Sequence, residues 1–494
     1  MPEASLKDKA AKGFLWGALN NGTMQILNAV FGIIIARILT QEDYGLVSML
    51  MIFTTIATAL QDSGFVIALT NRKDATHREY NSVFWFNISC SLALYTILSL
   101  SSPFIADIYD EPRLESLARY MFLGFLIASF SIVPRSILFK NLRQKELAIM
   151  SIISLTISGS VGIIMAKSGM TYWGIATQNI VFNLSNTIIS WWFSGWRPSL
   201  KISFQPVREM FGFSSKMLVT YIFNNINNNM LSVLLGLFYK AHDVGNYSQA
   251  NKWNLMGSQF ITGMVQGVAQ PTFVQVGEDK ERLRRTFRKM LRFTSLISFP
   301  CMFGLSLIAP EFITIALTEK WLSSALLMQT LCIGGAFLPI ATLYFNLIIS
   351  RGKPNIYMWN IIVQGCVILL TVCGVHLLKA NIFGLTGITL MVALTVTIII
   401  AWTGIWHYFL WREIKLPFTH ALKDMLPFIL LAAVSMLTAY YSTLWISNIY
   451  ALLIARILIA ATTYIAILWL LGANILKESI AYLTKKNKNS STNI

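Results

Sequence analysis

Fourteen apolar stretches occupy nearly all of this 494-residue chain, at about 13–37, 44–66, 82–106, 114–138, 146–167, 171–194, 210–238, 246–271, 289–309, 321–349, 357–378, 384–411, 423–445 and 448–472. An α-helix needs about 20 predominantly apolar residues to cross the hydrocarbon core of a bilayer. Lipid offers no partner to a bare backbone N–H or C=O, so segments of this kind must span as helices. The fold class that follows is an all-α integral membrane protein of about 14 transmembrane helices. Charged residues make up only 12% of the chain, against about 25% in soluble domains. No connecting segment exceeds about 20 residues, which leaves no room for a folded extramembrane domain. The first apolar run lacks a small-residue cleavage site and reads as a retained span.

The net charge of +17 does not point to nucleic acid, because the basic residues sit in short loops rather than on a soluble basic face. They alternate from loop to loop. One side carries Lys7, Lys9 and Lys12, then Arg72, Lys73 and Arg78, then Lys140, Arg143 and Lys145, then Arg197, Lys201 and Arg208. The same side continues with GEDKERLRRTFRK at 277–289, with Arg351 and Lys353, with Arg412, Lys415 and Lys423, and with the basic tail. The other side has TQEDYG, ADIYDEPR and single lysines such as Lys167 and Lys240. Lys and Arg stay in the cytoplasm, so both termini are expected there, with anionic lipid headgroups as neighbours.

The chain also repeats itself. GFLWGALNNGTMQILNAVFGIIIARILTQEDYGLVS from Gly13 parallels GFSSKMLVTYIFNNINNNMLSVLLGLFYKAHDVGNYS from Gly212. Asp43-Tyr44-Gly45 and Asp243-Val244-Gly245 close the two segments, followed at equal distance by Ser48 and Ser248. The offset covers six spans, an even number, so the halves run parallel and are related by an axis along the membrane normal. The expected organisation is an N-lobe over 1–194, a connecting loop at 195–209, a C-lobe over 210–411, two further spans over 412–476 and a cytoplasmic basic tail at 477–494.

Polar side chains inside spans are costly and need a reason. In span 8, Lys252, Gln259, Gln266 and Gln270 share one helical face. Asn21, Gln25 and Asn28 share a face of span 1; Tyr221, Asn225, Asn228 and Ser232 share one of span 7. The repeat makes the stripes of spans 1 and 7 nearly equivalent, and a central polar cavity lined by spans 1, 7 and 8 is the functional reading. The plain alternative is interhelical hydrogen bonding, worth about 0.6 kcal/mol per contact. Of the basic residues within spans, Arg119, Arg135 and Lys216 lie near span ends and can snorkel, Lys252 lies deeper on the polar face, and Arg456 lies deep in span 14, where structural pairing or lipid contact is open. Asp62 is the acid well inside a span and the candidate for ion coupling. An excess of cations at depth favours an anionic ligand such as a phosphate or a uronic acid.

The five cysteines, Cys90, Cys301, Cys332, Cys366 and Cys373, all fall in apolar stretches without a CxxC pair and read as core thiols rather than disulfides or metal ligands. GxxxxGK[ST], HExxH and GxSxG are absent, so neither a P-loop ATPase, a zinc protease nor a serine hydrolase is expected, and no cofactor or metal.

Several separated blocks resemble the Wzx-type polysaccharide flippases, in the branch of colanic and teichuronic acid exporters. They are LQDSGFVIALTNRKD, RKDATHREYNSVFWFNISCSLALYTILSLSSPFIADIYDEPRL (72–114), VPRSILFKNLRQKELA (133–148), TEKWLSSALLMQTLCIGG (318–335) and NLIISRGKP (346–354), and the resemblance covers about residues 1–450. The resemblance implies the fold of the MATE/MOP superfamily, two six-helix lobes in a V with two added C-terminal helices. It implies a flippase, not an enzyme, in the bacterial cytoplasmic (inner) membrane. Such a protein carries an undecaprenyl-diphosphate-linked oligosaccharide (an O-antigen, capsule or exopolysaccharide repeat unit) from the cytoplasmic to the outer leaflet by alternating access. A cationic cavity is typical of the family, which Lys252, Arg119 and Arg135 would match. A polysaccharide polymerase and glycosyltransferases are the implied partners. Many relatives carry an Asp in span 7 where this chain reads NNINNNMLSVLLG, which removes that position as an ion-coupling acid. A multidrug or cation antiporter of the same fold, or a membrane enzyme of glycan assembly, are the alternatives.

Overall fold

The computed structural model describes residues 6–62, 76–141, 143–200, 205–277, 279–382 and 384–470. Helices dominate it, as backbone satisfaction in lipid demands. They are α1 (Leu6–Ile38), α2 (Gln41–Asp62), α3 (His77–Leu100), α4 (Ser102–Ile108), α5 (Arg113–Ser129), α6 (Ile132–Lys140), α7 (Gln144–Lys167), α8 (Thr171–Ser194), α9 (Gln205–Phe238) and α10 (Ala241–Val276). There follow α11 (Lys280–Leu307), α12 (Ala309–Leu317), a 3-10 turn (Glu319–Trp321), α13 (Leu322–Gly335), α14 (Leu338–Ser350), α15 (Pro354–Leu377), α16 (Gly387–Ile414), α17 (Phe418–Ser442) and α18 (Ile449–Leu470). A two-stranded antiparallel hairpin, β1 (Asn381–Ile382) with β2 (Leu385–Thr386), pairs Asn381 with Thr386 before α16. It is a small exception to the all-helical expectation, in a connecting segment rather than a span.

Among the described residues, ten helical segments are long and apolar enough to cross a membrane, or eleven if α5 and α6, bent by 42°, form one span. Their surfaces fit a lipid environment: Leu100, Leu370, Leu377, Trp469 and Leu470 are each more than 70% exposed, an apolar display that a water-soluble monomer avoids. Prolines punctuate the ribbon where single apolar stretches divide. Pro103 opens α4, Pro310 opens α12 and Pro339 opens α14, each placed where its missing N–H costs no helical bond. Starts are capped: Thr76 and Glu79 form a reciprocal capping box on α3, and Asp279 accepts from the amides of Glu281 and Arg282 on α11.

Two compact units divide the chain, Met1–Ser248 and Gln249–Ile494. In the first, α7 pairs with α8 and with α1, α5 lies on α8, and α9 packs on α2. Its most closely fitted contact joins residues 200 apart. A Cβ on Gly45 would sit 1.7 Å from the carbonyl oxygen of Ala241, and a Cβ on Gly245 would sit 1.8 Å from that of Gln41. One turn on, Ser48 Oγ donates to Ser248 Oγ at 2.7 Å. The contacts are reciprocal, so a local two-fold relates the first turn of α2 to that of α10, and only glycine lets the two backbones meet there. Beside it, Arg113 binds both carboxylate oxygens of Glu111 at 2.6 and 2.7 Å and also reaches Glu42. The guanidinium bonded to Glu111 holds that carboxyl below its ordinary range.

In the second unit, α11 packs on α17, α17 on α18, α13 on α11 and α16, and α15 on α16. Serines join the helices: Ser298 donates to the carbonyl of Ala336 at 2.7 Å and Ser306 to that of Gln329 at 2.8 Å. Asn254 Oδ1 occupies the space a side chain on Gly335 would need, 2.1 Å from its Cβ position. α18 is fastened by Arg456, whose Nη1 lies 2.5 Å from Glu311 Oε1 on α12, with both side chains only 8% exposed. Thr443 and the ring of Tyr440, 5.2 Å away, complete the guanidinium's surroundings. The structure thus resolves the open reading of Arg456 in favour of internal pairing.

Cysteine burial departs from expectation. Cys332 is buried, Cys90 and Cys373 are half-buried, and Cys301 and Cys366 are exposed, with all five thiols free. An apolar stretch in a membrane helix has a lipid-facing side, so apolar neighbours in sequence do not imply a place in the core.

Two stability outcomes follow. Gly45→Val or Gly245→Val should lower the melting temperature of detergent-purified protein, since overpacking costs typically about 1–3 kcal/mol; an unchanged melting curve would exclude the backbone crossing. Arg456→Met should destabilise by about 3–5 kcal/mol because it strands a buried carboxylate, whereas Arg456→Met combined with Glu311→Leu should recover most of the loss; equal instability of the single and double variants would show that the pair is not the fastening.

Candidate functional site

Three helices carry polar side chains where lipid would reject them. On α1, Asn21 and Asn28 are exposed and Gln25 is half-buried. On α9, Asn228 is exposed, and half-buried Asn225 offers its carbonyl to Asn229 Nδ2 at 2.9 Å. On α10, Lys252 is half-buried, while Gln259 and Gln266, on the same face, are exposed. The side chains of Gln270, Lys216 and Asp62 lie outside the described residues.

Six of these side chains stand apart from the hydrogen-bonded network. Among the described residues, Asn21, Gln25, Asn28, Asn228, Gln259 and Gln266 make no hydrogen bond from their side chains. Asn21 and Asn28 lie in a segment of α1, Leu19–Ile38, long and apolar enough to cross a membrane, and an exposed, unbonded amide there has to face water or a polar ligand, because hydrocarbon cannot satisfy it. Lys252 lies 5.9 Å from the ring centroid of Trp253, within reach of a weak cation–π attraction. Among the described residues no carboxylate pairs with its ammonium.

The chain around Lys252 is more polar than its spacing suggested. Gln249 and Asn254 on α10 are 1% and 4% exposed, and both amide atoms of Gln249, the Oδ1 of Asn254 and the Nε1 of Trp253 find no partner among the described residues. The signal was present in the run Asn246-Tyr247-Ser248-Gln249-Ala250-Asn251-Lys252-Trp253-Asn254, but a search for one polar face passes over residues that turn toward the core.

The other basic candidates differ. Arg119 is exposed on α5 and held, its Nη2 on Glu115 Oε1 at 2.6 Å and its Nε on Ser102 Oγ at 2.9 Å. Arg135 is exposed on α6 without a bonded partner among the described residues. The acids are committed elsewhere. Five are buried: Asp43 accepts from Thr40, Glu79 from Thr76, Glu311 pairs with Arg456, Glu413 with Lys353 at 2.6 Å, and Asp424 with Arg288 at 2.6 Å and Arg292 at 2.9 Å. Glu311 was not legible as a buried acid, since it lies two residues beyond the apolar stretch and its partner is distant in sequence. The exposed polar faces are thus rich in amides, with lysine as their charge.

Known proteins place this architecture. The model of the family "Polysaccharide biosynthesis protein" matches residues 34–326. The lipopolysaccharide biosynthesis protein WzxC of Escherichia coli (strain K12) is 25% identical over 359 residues, covering 71% of this chain and 72% of its own length. The teichuronic acid biosynthesis protein TuaB of Bacillus subtilis (strain 168) is 25% identical over 362 residues, covering 72% of this chain and 74% of its own. Among solved structures, the lipid II flippase MurJ in an inward closed conformation superposes with a TM-score of 0.75 at 15% identity, over 94% of this chain and 100% of that one. At that identity the likeness carries the fold alone, and the fold is that of a multi-pass membrane flippase. With a family model matching more than half its length, the chain belongs to the polysaccharide biosynthesis protein family, in its Wzx-type branch.

Proposed function

We propose that this protein flips an undecaprenyl-diphosphate-linked oligosaccharide from the cytoplasmic to the outer leaflet of the bacterial inner membrane by alternating access. The observation that carries the reading is the set of exposed, unbonded amides on α1, α9 and α10 together with Lys252. Amides offer donors and acceptors to sugar hydroxyls, and an ammonium with no carboxylate beside it suits a diphosphate. The lipid tail needs no protein site, since it can stay in the bilayer. Fourteen spans in two six-helix lobes, 13–194 and 210–411, with two added helices and both termini cytoplasmic, are part of the same proposal, as are Asp62 as coupling acid and contact with a polymerase and glycosyltransferases.

A cation antiporter of the same fold needs carboxylates facing its ligand. The five buried acids described are all engaged by cations or by helix starts, which favours the anionic substrate.

Lys252→Ala should abolish polysaccharide export at an unchanged membrane level of the protein, with lipid-linked saccharide accumulating on the cytoplasmic leaflet. Lys252→Arg should keep part of the activity, because the charge survives while its geometry changes. Full export by the alanine variant would remove Lys252 from the substrate path. A cysteine placed at position 110 in a cysteine-free background should react with an impermeant maleimide from outside the cell; labelling from the cytoplasm alone would overturn the orientation.

A further inference from the structure

A second polar tract lies within the first unit, on α8 and the face of α5 that meets it. Three hydrogen bonds, made by four side chains on this seam, join α8 to α5 and the residue that follows it. Tyr120 OH and Thr177 Oγ1 are 3.0 Å apart, Thr187 Oγ1 donates to the carbonyl of Ile127 at 3.2 Å, and Trp191 Nε1 donates to that of Phe130 at 2.7 Å. Two other side chains do not. Asn183 Nδ2 donates to Asn179 Oδ1 on its own helix at 3.0 Å. Neither amide bonds to α5, so the amino group of Asn179 and the oxygen of Asn183 have no partner among the described residues. They stand over Gly124, where a Cβ would lie 3.0 Å from Asn179 Oδ1 and 3.5 Å from Asn183 Nδ2. Gly124 is buried, and its missing side chain lets the pair lie directly on α5.

Asn179 is exposed and falls nine residues into the 24-residue α8, about 12 Å along its axis. On the fourteen-span reading proposed above α8 crosses the bilayer, and hydrocarbon at that depth would leave the amide unsatisfied unless this face met water or a polar ligand. An aromatic pair adjoins it: the rings of Tyr120 and Trp173 lie 5.3 Å apart at 70°, and both side chains are half-buried, each showing part of its surface. Amides open for one donor and one acceptor, beside aromatic rings, match the chemistry of a sugar: hydroxyls that give and take hydrogen bonds, and C–H faces that lie against rings.

We infer that Asn179, Asn183 and the neighbouring Tyr120 and Trp173 form a carbohydrate subsite for the saccharide head of the substrate. The subsite rests on the flippase reading and adds where the sugars are held. It lies on helices other than the three stripes and adds a second set of amides to those that meet the sugar hydroxyls there.

The test uses the full chain in nanodiscs and two probes: undecaprenyl diphosphate without sugar, and the undecaprenyl-diphosphate saccharides extracted from cells lacking this gene. Binding is read by native mass spectrometry. The unmodified protein should bind the saccharide-bearing lipids more tightly than the bare lipid. Asn179→Leu with Asn183→Leu should lose part of that increment, roughly tenfold for two hydrogen bonds, and keep its affinity for undecaprenyl diphosphate, which also certifies its fold. Gly124→Val, which crowds the pair off α5, should act the same way, and Asn179→Gln with Asn183→Gln should retain part of the increment. A leucine variant that keeps the whole increment, or an unmodified protein that binds both probes equally, overturns the subsite and leaves the flippase reading standing. Binding of neither probe overturns both.

Discussion

The hydrocarbon core of a bilayer cannot solvate a polar group, and the rest of this structure depends on that single fact. Backbone groups are satisfied by helices. Side chains have two solutions: a partner inside the protein or a face turned to water. Both are in use. Ser298, Ser306, Thr187 and Trp191 donate to carbonyls of neighbouring helices, and Arg456 pairs with Glu311. Asn21, Asn28, Asn228, Gln259, Gln266 and Asn179 take the second course: exposed, with no bonded partner across a helix interface. In a soluble protein an exposed asparagine says nothing. Within a helix that crosses hydrocarbon it calls for water or a polar ligand, which is why these residues carry the proposed substrate path.

The same absence of a hydrophobic driving force between helices in lipid makes close packing the means of association, and small residues the means of close packing. Gly45 and Gly245 show this at its limit, each against a backbone carbonyl of the other's helix start. The two contacts are reciprocal, so the same residue type is required at both positions. An offset of 200 residues in the sequence becomes a local two-fold in space, and Ser48 against Ser248 extends it by a turn.

What could be read from the sequence follows from the periodicity of one helix. Hydrophobic length located the helices, and a spacing of 7, 7 and 4 placed Lys252 with Gln259, Gln266 and Gln270 on one face, of which the first three are described and are half-buried or exposed as a shared polar face requires. What could not be read depends on a second element. Glu311 lies just past an apolar stretch and gains its meaning from Arg456, 145 residues away. Gln249 and Asn254 are buried by neighbours that a helical wheel does not contain. Asn179 and Asn183 look like ordinary helix glue until Gly124 is seen opposite them with nothing to bond. The breaks at Ile308 and Phe337 fall beside prolines, where a hydropathy window averages over the change of direction.

Charge gives the last step. Each described buried acid has a cation or a helix start against it, and Arg456, Lys353, Arg288 and Arg292 are matched in turn. Arg113 and Arg119 are held by Glu111, Glu42 and Glu115. Once these pairs are set aside, Lys252 stands out among the described residues as a cation within a span beside amides and an indole, with no acid to answer it. Such a charge is costly at depth when left alone, and its cost falls when an anion arrives. A protein arranged in this way is at its least comfortable when empty. On the proposed flippase reading, the electrostatic gain from binding is what would draw an anionic head group out of the interface.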